Sequence, residues 1–170
     1  MTFDLPSDRW IDLAISNGLV WAISQNRNES RLIAFDGTTG ELRHDLPIAP
    51  DANAVPVRLV ADERNVVVGI DTSGGGGRTG ELRIVDPVTA EITDTVPLPS
   101  RPEGIVLTAR HIWTSAEVLD RATLAIEHSS LFGFTITRGP DGSIWGTTHL
   151  PGAATPRFVV TRTAPGDVAG

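Results

Sequence analysis

Cysteine is absent from the 170 residues, which excludes disulfides, thiolate metal sites and a cysteine nucleophile together. Lysine is absent as well: all 14 basic residues are arginine, which reads as compositional bias rather than function. No apolar run comes near the roughly 18 residues that a membrane-spanning helix needs. The start, Met1 to Pro6, has no basic patch followed by an apolar stretch, so no secretory signal is expected and the chain reads as cytoplasmic. Positive charge is scarce too. The formal net charge is -7, the opposite of the clustered positive charge that grips phosphates. Neither a nucleic-acid nor a membrane partner is expected.

What is present is punctuation. The 17 glycines and 12 prolines are scattered between short apolar runs, which suits many turns and few helices. Hydrophobic residues make up 40%, enough for a packed core in one domain over residues 1–170.

Four segments share one pattern: an apolar strand, a short polar turn, then a second strand with a large apolar residue near its start. That residue is Trp21, Val67, Trp113 or Trp145, at intervals of 46, 46 and 32 residues. Third strands are expected at Leu32–Asp36, Leu82–Asp86, Leu124–His128 and Phe158–Thr161. In the first two units a turn and fourth strand follow, through Gly37-Thr38-Thr39-Gly40-Glu41 and Pro87-Val88-Thr89-Ala90-Glu91. A period in the forties with four strands per unit is the spacing of a propeller blade. Asn17-Gly18 and Asp141-Gly142 supply tight hairpin turns. Repeat units fall at about 10–48, 56–99, 101–132 and 133–165. The expected fold is therefore all-β and β-propeller-like, with about four blade repeats of antiparallel strands. The third unit leaves little room for a fourth strand, and residues 117–123 could form one helical turn. All four mark residues are expected to be buried.

The run polar-Gly-x-Ile/Val-Trp, followed by Ile-x-Phe/Val-Asp-x-x-Thr-Gly/Ala-Glu, resembles the repeats of bacterial YVTN/NHL-type propellers and of the virginiamycin B lyase-like group. Such propellers mostly have more than four blades, so the resemblance leaves open a part-propeller completed by oligomerisation. Thr2 to Leu5 look like a stray fourth strand that could pair beside Phe158–Thr161 and close an open sheet edge.

Residues that could carry chemistry are few. Trp10 stands outside the repeat register, as an exposed aromatic anchor would. Arg27, Arg101, His149 and Arg157 are expected on loops of one face, where arginines could hold an anionic group. His44, His111, His128 and His149 form no spaced metal motif. Gly74 to Arg78 lacks the Lys-Ser/Thr pair and helix of a phosphate loop, and Asp62-Glu63 sits at a turn where carboxylates cap backbone. No catalytic residue, metal site or cofactor is expected. The leading expectation is a non-catalytic interaction or ligand-binding module, taking a protein or small molecule on its loop face. Two alternatives stand beside it. One is a metal-dependent enzyme like virginiamycin B lyase, with His149 as base. The other is a lectin-like carbohydrate-binding oligomer in which Trp10 stacks on sugars.

Overall fold

Asn17 and Gly18 take φ angles of 50° and 74°, the left-handed pair that a two-residue hairpin requires. They join β1 (Arg9–Ser16) to β2 (Leu19–Gln25), and β3 (Ser30–Asp36) and β4 (Leu42–Ala49) complete an antiparallel sheet. This computed structural model describes residues 9–26, 29–49, 53–74, 79–129, 135–149 and 158–163. The second sheet is β5 (Val55–Ala61), β6 (Val66–Asp71), β7 (Gly80–Val85) and β8 (Ile92–Leu98). The third is β9 (Ile105–Leu107), β10 (His111–Thr114), β11 (Glu117–Asp120) and β12 (Ile126–Ser129). The fourth holds β13 (Ile136–Arg138), β14 (Ile144–His149) and β15 (Phe158–Thr163). Strands follow one another in chain order across every sheet, and no helix occurs among the described residues. Two compact units divide the chain, Met1–Arg101 and Pro102–Gly170, so sheets 1 and 2 lie in one and sheets 3 and 4 in the other.

One turn recurs between the third and fourth strands of three sheets, and its chemistry is the same each time. Oδ1 of Asp36, Asp86 and Asp120 accepts the backbone N–H groups two and three residues ahead. The residue four ahead donates its N–H back to the aspartate carbonyl. That residue is left-handed: Gly40 at φ 74°, Ala90 at 58° and Leu124 at 60°. Short polar side chains that satisfy backbone donors favour such turns. The turn at Asp120 corrects the sequence reading of the third unit. Glu117–Asp120 is its third strand and not a helical turn, and Ile126–Ser129 is its fourth. The short 32-residue interval from Trp113 to Trp145 holds strands of four, four and three residues and a tight Thr114–Glu117 connection, not a missing strand.

The register marks fall where the repeat places them. Trp21, Val67, Trp113 and Trp145 all lie on the second strand of their sheets. In the first three, the partner on the third strand lies two residues before the turn aspartate: Ala34, Ile84 and Val118. Cross-strand partners share a face, so each sheet has a mark face and a reverse face. In the first unit the mark face of sheet 1, with Trp21, Ile23, Leu32 and Ala34, packs on the reverse face of sheet 2, with Leu59, Val66, Val68 and Val85. The second unit repeats this: Val106, Trp113 and Val118 pack on Ile136 and Ile144. Trp145 departs from the expected burial. It is 37% exposed, because no further sheet covers its face among the described residues.

The proposed closing strand, Thr2 to Leu5, lies outside the described residues.

Candidate functional site

The reverse face of sheet 1 is the outlying surface of its unit, and a bulge decides what stands on it. Trp10 pairs with Ser24, but Asp12 pairs with Ile23, leaving Ile11 as an extra residue. An extra residue shifts alternation by one, so Trp10 joins Leu13 on the same face. The rows across that face are then Trp10–Ser24–Arg31, Leu13–Ala22–Ile33 and Ile15–Val20–Phe35–Leu42. Ile11 packs instead into the core. Asp12 holds the base of the bulge, accepting the Leu59 N–H at 3.0 Å on Oδ2 and pairing with Arg58 at 3.5 Å.

The result is an apolar groove of about 340 Å³, lined by Trp10, Ile11, Asp12, Leu13, Val20, Ala22 and Phe35. Large apolar side chains beside it are open to water: Leu13 at 64%, Ile15 at 69% and Leu42 at 54%. Large apolar side chains gathered on one exposed face are uncommon on a folded surface. Apart from Asp12, the residues that line the groove are apolar.

The polar candidates are placed otherwise. Arg101 pairs through Nε with Asp71 Oδ2 at 3.2 Å. Burial pushes the Asp71 carboxyl up, but the Ser73 hydroxyl and N–H and the Arg101 charge hold it below its ordinary value. Arg101 therefore fastens the end of β6. Close by, Glu81 and Arg83 pair at 2.6 Å and line a small cleft of about 120 Å³ with Asn53 and Thr72. Arg83 also donates to the Ile48 carbonyl. His149 is the last residue of β14, paired along the backbone with Phe158, and not a loop residue. Arg27 and Arg157 lie outside the described residues, as do Gly75 to Arg78. Of the five candidates, Trp10 lines the apolar groove, Arg101 is held in an ion pair and His149 lies at the end of a strand.

Other marked residues resolve into structure. His44 stacks on Trp21, ring centres 5.8 Å apart. His111 approaches Glu127 at 3.1 Å and meets Trp113 edge-on. Glu117, buried at the start of β11, accepts from the Thr114 hydroxyl at 2.7 Å. Asp62 accepts the N–H groups of Arg64 and Asn65, as a turn carboxylate does. Among the described residues no three His, Asp or Glu side chains gather as a metal set.

The exposed Leu13, Ile15 and Leu42 were not among the sequence candidates, though a signal for them exists. Leu19-Val20-Trp21-Ala22-Ile23 is apolar without alternation, the mark of a strand covered on both faces. Trp21 and Ile23 account for one face, and Val20 and Ala22 demand cover on the other.

Neither a family model nor a curated protein matches the sequence. Solved structures do. A Dos1 propeller is 14% identical over 86% of this chain, at a TM-score of 0.61. A luciferin-regenerating enzyme is 16% identical over 92%, at 0.50. The chain spans about half their length, 44% and 58% respectively. At such identities the likeness concerns the fold, and it agrees with the sheets described above. This is an all-β chain of about four propeller blades. More particularly, the likeness is to the blade repeats of β-propellers; the finer likeness to YVTN/NHL-type or virginiamycin B lyase-like repeats gains no support from a family match.

Proposed function

We propose that the chain is a non-catalytic propeller module that binds a partner through the reverse face of sheet 1. The observation that carries this is the groove bounded by Trp10, Leu13, Val20 and Phe35, with Ile15 and Leu42 exposed on the same face. Burial of apolar area supplies the affinity, at about 25 cal/mol per Å² removed from water before the cost of association. Trp10 acts as the aromatic anchor at the groove's rim. A net charge of -7 turns the module away from nucleic acids and towards protein or apolar guests.

Anilinonaphthalene sulfonate, a dye that brightens on apolar surface, tests the reading in dilute protein. Wild type should bind it, and Leu13→Asp with Ile15→Asp should abolish most of the signal. Equal signal from both proteins would show that this face binds nothing. The Trp10→Ala variant should weaken dye binding severalfold while leaving the circular-dichroism spectrum unchanged.

A further inference from the structure

Each unit makes the same contact internally: the mark face of one sheet against the reverse face of the next. Sheet 1 on sheet 2 does so through Trp21 and Ile23 against Leu59, Val66 and Val68. Sheet 3 on sheet 4 does so through Val106, Trp113 and Val118 against Ile136 and Ile144. Two faces of these same kinds are left open to water. One is the reverse face of sheet 1, where Leu13, Val20 and Phe35 hold the positions that Leu59, Val66 and Val85 hold in sheet 2. The other is the mark face of sheet 4. There Trp145, Val160 and Arg162 occupy adjacent rows, Val160 is 70% exposed, and Arg162 lies over the Trp145 ring at 5.7 Å.

We propose that these faces are the two halves of one contact between copies of this chain, with the Trp145 face of one copy seated on the Leu13 face of another. This rests on the reading of the sheet 1 face as a binding surface and names its occupant. Two observations favour a second copy over an unrelated guest. The missing half of the contact is carried by the chain itself. The internal contacts already show how a tryptophan-bearing face fits a reverse face in the matching register. The contact is head-to-tail: different surfaces meet, so each copy offers one donor face and one acceptor face.

Directionality gives the test. Light scattering after gel filtration should give wild type a mass of two chains or a larger multiple. Leu13→Asp with Ile15→Asp removes the acceptor face, and Trp145→Ala with Val160→Asp removes the donor face. Each variant alone should run as a monomer. Mixed in equal amounts they should form a heterodimer, because one intact donor meets one intact acceptor. All four positions are exposed, and circular dichroism verifies folding. A wild type that stays monomeric at every concentration overturns self-association, as does a mixture that fails to pair. Dye binding separates the two readings. A monomeric wild type that still binds the dye through Leu13 and Ile15 retains a binding face with another occupant. A monomer with no such dye binding loses both.

Discussion

Trp21 and Trp145 hold the same position, on the second strand of a sheet and on its mark face, yet their surroundings differ completely. Trp21 is sealed between its own sheet and sheet 2. Trp145 looks outward, its indole N–H bound to the Ser143 hydroxyl at 2.8 Å and its face under Arg162, which Asp141 holds at 2.6 Å. Leu59 and Leu13 form a second such pair, equivalent in register, one buried and one exposed. In this repeat, sequence position decides which face a residue is on, and the neighbouring sheet decides what that face is worth.

The largest contrast is expected between Leu59→Asp and Leu13→Asp. The first buries an unpaired charge and should cost about 4–5 kcal/mol or more. The second should change the unfolding free energy of the dissociated chain by no more than about 0.5 kcal/mol. Urea titrations in dilute protein measure both, and similar losses would break the assignment of faces. Next in size, Trp21→Ala should cost about 3–5 kcal/mol, against about 1 kcal/mol for Trp145→Ala at its exposed site.

A smaller effect concerns the recurrent turn. Backbone N–H groups hold the Asp36, Asp86 and Asp120 carboxyls below the ordinary range: first that of Thr39, then the Arg43 guanidinium; those of Thr89 and Val88; and that of Thr123 with its hydroxyl. These carboxyls lose their protons more readily in the folded chain than in the unfolded one, where aspartate titrates near 3.9. Their stabilisation is complete above that value and is lost as pH falls through the folded pKa values. Thermal melts should therefore be flat near neutrality and fall from about pH 5 downward, and replacing all three by Asn should flatten the acid limb. An unchanged acid limb would remove the turns from the account. Smallest of all, Leu124→Gly should raise stability by about 0.5–1 kcal/mol by relieving a left-handed leucine, whereas Gly40→Leu should lower it by a similar amount.

The same features explain what could be read from the residues alone. Asn17-Gly18, the two Asp-x-x-Thr-Gly/Ala-Glu turns and the spacing of Trp21 and Val67 announce the first two sheets because each needs a special backbone conformation that few residues tolerate. The turn at Asp120 was hidden because Leu124 stands where glycine or alanine stands in the others, and leucine is a poor signal for a left-handed site. Strands as short as Ile105–Leu107 also show no alternation. Trp10 could be singled out from its break with the register, but the cause, one extra residue at Ile11, is a property of pairing between strands. The exposure of Trp145 was unreadable for a related reason: burial of a sheet face depends on what lies against it, and no local pattern records that.

The bulge at Ile11 has a counterpart in sheet 2, where Pro56 pairs with Ile70 and Arg58 with Gly69, leaving Val57 over. A device copied with the repeat thus sets which side of the first strand its outer residues occupy. Removing a single codon at position 11 would erase the bulge yet leave Trp10 opposite Ser24, two residues from Leu13 and on the same face, at the cost of the apolar contact that Ile11 makes with the core. The extra residue thus adds one apolar side chain to the buried side without moving the aromatic rim, so the inner and outer sides of this strand are free to change independently in descendants of the same blade.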